Sequence, residues 1–179
     1  MIAVFLADGF EEIEALAVVD ILRRAELSVL TVGVGTDTPT GAHGISVCAD
    51  VSEDALDMAA LSAVVLPGGM PGTLNLEKSA VVQQALAFAM DQHLPVAAIC
   101  AAPSILGHAG YLNGLHATCY PGFESELGEG IYEEAAVVTD GTVTTAAGAG
   151  VAVDFALELA RRLATVATAD DIRRGIQCR

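Results

Sequence analysis

Short apolar runs, each ending in a turn that leads into a helical pattern, recur along this chain of 179 residues and restrict its fold more than any other feature. Ile2 to Ala7 is apolar throughout and stops at Asp8-Gly9. A run of this length bounded by a turn signal reads as a strand buried on two faces. Residues from about 10 to 25 then read as a helix, with Glu11, Glu12 and Glu14 early and Arg23 and Arg24 late, the order the helix dipole favours. Ser28 to Val34 reads as a second strand, Ile45 to Cys48 as a short one, and Ala63 to Leu66 as a buried strand ending in Pro67-Gly68-Gly69. Residues 79–93 read as helical. Val96 to Ile99 is β-rich and stops at Cys100, and Pro103 lies near the first turn of the next helix. Ala136 to Val138 and Thr142 to Thr145 flank Asp140-Gly141, a hairpin signal. Gly148 to Leu163 reads as the final long helix. Strands alternating with helices predict an α/β three-layer sandwich with a mainly parallel central sheet, in one domain over 1–179.

Composition narrows the function classes. Net charge is −15, from 8 basic and 23 acidic residues, which disfavours nucleic acid and anionic membrane partners. Hydrophobic residues make up 53%, enough for a substantial core, but no stretch reaches the roughly 20 apolar residues of a bilayer span. The start, MIAVFLADGF, lacks a basic region and a cleavage site, so a cytoplasmic protein is expected. Cys48, Cys100, Cys119 and Cys178 form no C-x-x-C pair, and nothing completes a zinc set around His116 and Cys119. Neither a metal nor a cofactor is expected. PGGMPG at 67–72 departs from the glycine-rich dinucleotide and Walker patterns.

Cys100 is the candidate reactive centre. Active sites of open parallel sheets form at the carboxyl ends of strands, where Asp8-Gly9, Gly68-Gly69 and Cys100 all fall. Free N–H groups at a helix N-terminus favour the thiolate and predict a thiol pKa below its ordinary value of about 8.5. Ala101 and Ala102 are small enough for the tight turn of a nucleophile elbow. A buried, inert cysteine is the alternative. Glu14 falls on the apolar stripe of the first helix, with Val18, Ile21, Leu22 and Ala25 at i+4, i+7, i+8 and i+11. A carboxyl there is partly desolvated, has a raised pKa, and can exchange a proton with a nearby thiol. An ordinary early-turn Glu is its alternative, which Glu11 and Glu12 fit better. The Gly68 and Gly69 amides can approach a ligand closely, as an oxyanion pocket requires.

Four segments in order, ADGFEEIEA (7–15), VVLPGGMPG (64–72), AAICAAP (97–103) and GAGVAVDFAL (148–157), resemble the DJ-1/ThiJ/PfpI superfamily, most closely its DJ-1 branch. The resemblance runs from Ile2 to about Ile172. It implies a flavodoxin-like fold, a homodimer, Cys100 as elbow nucleophile facing Glu14, and an oxyanion pocket from Gly68, Gly69 and the backbone at Ala101. It places Cys48 where relatives carry a second cysteine near the dimer interface. Ala101 stands where the protease-like branch has a His, which counts against a peptidase. Tyr120 stands where the DJ-1 branch often has a pocket His, and Ala147 where animal members have an Arg. His43, His93, His108 and His116 lie outside the matched motifs and read as surface or structural. The implied function is a stress-protective enzyme acting on small carbonyl substrates, α-oxoaldehydes or their adducts, of glyoxalase or deglycase type. The alternatives are an oxidation-sensing or protective binding protein that uses Cys100 as a redox switch and, last, a thiamine-pathway protein.

Overall fold

The computed structural model describes residues 1–178; Arg179, the last residue of the expected domain, lies outside the described residues. Strand β1 (Ile2–Ala7) leads to helix α1 (Glu12–Arg24), and β2 (Val29–Val34) to the short edge strand β3 (Val51–Ser52). Then come β4 (Ala63–Leu66), α2 (Gly72–Lys78), α3 (Ala80–Asp91), β5 (Val96–Ile99) and α4 (Pro103–His108). Two short strands, β6 (His116–Ala117) and β7 (Ile131–Tyr132), pair with each other in parallel. The hairpin β8 (Val137–Asp140) and β9 (Val143–Ala146) precedes α5 (Ala152–Leu163) and α6 (Val166–Gly175).

The main sheet has seven strands in the order β3-β2-β1-β4-β5-β9-β8. Every neighbouring pair is parallel except β8 with β9. The two-residue alternation of β1 divides the core. Ile2, Val4 and Leu6 meet Val18, Ile21 and Leu22 of α1, Phe155 and Leu159 of α5 and Ile172 of α6. Ala3, Phe5 and Ala7 face the opposite layer, with Val82 and Leu86 of α3 and Ile105 of α4. Burial on both faces is what makes β1 apolar at every position. Each fully buried Phe or Leu contributes about 1.5–3 kcal/mol.

Three expectations need correction. Ile45 to Cys48 is not a strand: only an isolated Thr40–Ser46 bridge forms there, and the sheet edge is Val51–Ser52. The loop binds itself instead, with Val47 N–H donating to Pro39 O and Gly41 N–H to Ile45 O, while His43 and Ile45 N–H donate to Glu12. Regular helix after Gly148 begins only at Ala152, following a 3-10 turn over Ala149–Val151. Nor is α5 the last helix. Thr165 caps α6 by accepting the Thr168 N–H at 3.0 Å, and α6 buries Ala169 and Ile172 against α5.

Candidate active site

Strands β1, β4 and β5 are adjacent and parallel, so the loops after them meet at one edge. The contact is close. A Cβ on Gly69 would lie 2.5 Å from Gly9 O and from Glu11 N, and Gly69 itself has φ +91°. Only glycine fits both constraints.

Cys100 follows β5 with φ +65°, in the left-handed region that a side chain rarely occupies. Such a residue costs of order 1–3 kcal/mol and persists where its surroundings impose it. Here the surroundings are backbone hydrogen bonds on either side. Cys100 N–H donates to Ala146 O at 2.8 Å, and Cys100 O accepts from Tyr120 N–H at 2.8 Å. The strand-to-helix bend thus turns the half-buried side chain off the end of the sheet, the geometry of a nucleophile elbow.

Glu14, in the first turn of α1, is buried at 1% exposure beside this thiol. Its Oε2 accepts the Gly68 N–H at 2.8 Å. Its Oε1 is buried and makes no hydrogen bond of standard geometry among the described residues. The Cys100 thiol is the remaining polar neighbour of the carboxyl. Burial raises the Glu14 carboxyl to about 7; the Gly68 amide and the thiol oppose this, and Glu11 adds to it. Burial also pushes the Cys100 thiol up, to about 12, reinforced by the charge and hydrogen bond of Glu14. The Ala101 and Gly69 N–H groups pull the thiol down without offsetting those two effects. The direction is opposite to the one expected from a helix N-terminus, because the thiol is desolvated against a carboxyl group. The two groups titrate as a pair, and the first negative charge of that pair resides on the carboxylate.

The loop amides divide their work. Gly68 N–H is committed to Glu14, so it orients the carboxyl and is not free to bind an oxyanion. Gly69 and Ala101 N–H point toward the sulfur. Gly68 has no room for a side chain: a Cβ there would lie 2.7 Å from Cys100 Cβ and 2.8 Å from Glu14 Oε2. Tyr120 is tied to Cys100 through its backbone; its side chain is half exposed, with the ring edge over Gly148. Its phenol makes no hydrogen bond among the described residues, so the structure gives it no contact with Glu14 or Cys100. A hollow of about 290 Å³ is lined by Thr118, Cys119, Pro121, Tyr132, Glu134 and Ala147, and Cys100 is not part of its lining. A larger cleft, about 570 Å³ and lined by Asp8, Glu53 and Lys78, sits toward β2 and does not include Cys100.

Three features escaped the sequence reading. Glu11 is the N-cap of α1, accepting the Glu14 N–H on Oε2 at 2.7 Å. Glu12 is buried at 5% exposure and pairs with His43 Nδ1 at 2.8 Å. His108 bridges Glu77 at 2.6 Å and Glu126 at 2.9 Å. A carboxylate three residues before Glu14 was the one local signal for the cap. The histidine pairs join segments 18 to 31 residues apart and leave no local trace. Glu11, Glu12 and His43 bring three donor atoms within 4.8 Å of one another. Glu12 is already satisfied by His43 and the His43 and Ile45 amides, so the group is accounted for as an ion-pair cluster and no metal is assigned to it. Cys48 is exposed, while Cys119 is buried with its thiol pushed up to about 11 by burial and the charge of Glu124. No helix among the described residues is long and apolar enough to cross a membrane.

Comparison with known proteins agrees with this architecture. The DJ-1/PfpI family model matches residues 1–162. The Parkinson disease protein 7 homolog of Danio rerio is 36% identical over 165 residues, covering 89% of this chain and 87% of that protein. A deglycase of Pyrococcus horikoshii is 35% identical over 138 residues, covering 75% and 82%. Among solved structures, oxidized Toxoplasma gondii DJ-1 superposes with a TM-score of 0.94 at 31% identity, covering 98% of this chain and 97% of that one. A mutant DJ-1 superfamily protein from Salmonella typhimurium gives 0.93 at 34% identity, with the same coverage. With matching motifs, sheet order and overall shape, the chain belongs to the DJ-1/PfpI family.

Proposed function

We propose that this protein is a cofactor-independent, cysteine-dependent protective enzyme acting on α-oxoaldehydes or their adducts, with Cys100 as nucleophile and Glu14 as acid/base. The observation that carries this reading is the buried Glu14 carboxyl, with a pKa of about 7, set against an elbow thiol. A group poised near neutrality can both take and return a proton. With methylglyoxal, the Glu14 carboxylate takes the thiol proton as sulfur bonds to the aldehyde carbon. The proton then passes to the carbonyl oxygen and a hemithioacetal forms. The carboxylate next removes the hydrogen from that carbon and delivers it to the neighbouring carbon, leaving a thioester. Water cleaves the thioester to lactate and the free thiol. No external oxidant is needed, since one carbon is oxidised as its neighbour is reduced. Gly69 and Ala101 N–H steady the oxyanion, and Gly68 holds the base. The deglycase name of the Pyrococcus relative supports the substrate class. Ala101 supplies no imidazole after the cysteine, so a Cys-His peptidase is disfavoured. The test is lactate formation from methylglyoxal by the wild type, Cys100→Ser and Glu14→Gln. Rates in the variants equal to wild type would sink the reading.

A second reading is a redox switch. Cys100 is partly exposed, with two N–H groups available to sulfur-bound oxygens, and a related structure is described as oxidized. Peroxide would convert the thiol to sulfenic acid and water, and a second equivalent would give the sulfinic acid. Mass spectrometry after mild peroxide decides it: oxygen on another cysteine, with none on Cys100, excludes this role.

A homodimer is part of the proposal. Ile13 and Leu16, one turn apart on α1, and Ile45 in the loop over Glu12 are exposed apolar side chains. Analytical ultracentrifugation showing only monomer would remove it.

A further inference from the structure

We propose that Glu11 is the positioning residue of this site, closing a hydrogen-bonded ring with Gly68 and Glu14 that holds the acid/base carboxyl against Cys100. The proposal takes Glu14 and Cys100 as the reacting pair. Three bonds make the ring. Glu11 N–H donates to Gly68 O at 2.9 Å. Gly68 N–H donates to Glu14 Oε2 at 2.8 Å. Glu14 N–H donates to Glu11 Oε2 at 2.7 Å. The first links the two loops, the second fixes the carboxyl, and the third fixes the backbone that carries it. Each residue of the ring is therefore held by the other two.

Helix capping alone does not account for a glutamate here. Ser, Thr, Asn and Asp are the usual N-caps, and any of them would satisfy the same orphan N–H with fewer side-chain atoms to order. Glu11 adds two things that a short cap lacks. Its longer side chain returns to Glu14 while its backbone stays on the Gly68 loop. It also places a second carboxylate near Glu14, which raises the Glu14 pKa. The charged and titratable groups around this pair are few. Cys100 faces Glu14 from the end of β5. His43 approaches Glu11 Oε1 at 3.9 Å from the loop after β2, but its nearer partner is Glu12 at 2.8 Å. The imidazole is therefore matched mainly by Glu12, and the charge of Glu11 is felt at Glu14.

Two variants separate the cap from the charge. Glu11→Gln keeps an acceptor oxygen and removes the charge; Glu11→Ala removes both. Each is read by the pH profile of Cys100 alkylation with iodoacetamide and by the profile of lactate formation from methylglyoxal. In the wild type the rising limb follows Glu14 ionisation, near pH 7. In Glu11→Gln the limb moves to lower pH, with a plateau rate within about twofold of wild type. In Glu11→Ala the plateau falls roughly ten- to a hundredfold through misplacement of the carboxyl, with KM little changed. If Glu11→Ala does not fold, Glu11→Gly, which also removes the Oε2 acceptor and is a better-tolerated N-cap, takes its place. A wild-type plateau in a folded Glu11→Ala or Glu11→Gly would overturn the ring, and an unshifted limb in Glu11→Gln would overturn the charge effect of Glu11 on Glu14. Alkylation that responds as stated while no variant makes lactate upholds the ring and sinks the α-oxoaldehyde reading. Lactate formation with profiles indifferent to Glu11 does the reverse.

Discussion

Gly68 donates its N–H to Glu14 Oε2 at 2.8 Å, and this bond fixes the buried carboxyl beside Cys100. The same residue is pressed against the thiol, since a Cβ would lie 2.7 Å from Cys100 Cβ and 2.9 Å from Ile99 O. With Glu14 Oε2 at 2.8 Å, three neighbours, one of them backbone, would have to move to admit a methyl group.

Gly68→Ala is therefore expected to lose about 1–3 kcal/mol of stability through overpacking. It should also displace Glu14 from the thiol, lowering the Cys100 alkylation rate at neutral pH. Urea unfolding and iodoacetamide kinetics on one preparation check both effects. Wild-type stability with wild-type alkylation would mean the loop yields more easily than its contacts imply.

Glu14 gives stability a pH dependence of definite sign. Its folded pKa of about 7 lies above the ordinary 4.5, so the native state binds the proton more tightly than the unfolded chain. The resulting stabilisation is fully present below 4.5 and is lost as pH rises through 7. The amplitude is on the order of 3 kcal/mol. Glu14→Gln cannot ionise, so this component should vanish from its urea midpoints over the same range. An identical decline in wild type and variant would show that other groups produce it.

The positive φ at Cys100 separates two small substitutions. Cys100→Gly accepts this backbone freely, whereas Cys100→Ala retains the strain. Cys100→Gly is expected to be the more stable of the two, by roughly 1 kcal/mol, although it leaves the larger void. Thermal melts of the two proteins provide the comparison, and Cys100→Ala melting higher would contradict the strain argument.

His108 is held between Glu77 and Glu126, and their hydrogen bonds raise its pKa above 6.5. Its stabilisation is fully present below 6.5 and is lost as pH rises through the folded value. The side chain is 43% exposed, so solvent screening keeps the contribution below about 1 kcal/mol. The stability gap between wild type and His108→Gln should be widest in mild acid and close in alkali. A gap independent of pH would assign His108 to packing alone.

Much of this molecule was legible in its sequence because the decisive patterns are local. Apolar runs stopped by Asp8-Gly9, Gly68-Gly69 and Cys100 mark strands whose ends must carry the turns, and parallel connection by helices brings those ends to one edge. Glu14 was visible as a carboxylate on an apolar helix stripe, since helical periodicity decides which face is buried. Tertiary structure decided what those groups do to one another. The direction of the thiol pKa, the commitment of Gly68 to Glu14, and the ring closed by Glu11 each depend on atoms brought together from distant segments. The segment around Ile45 shows the same limit: in this β-prone run the Ile45 N–H donates to Glu12, far earlier in the chain, and the Val47 N–H to Pro39 O, so the run stays a loop.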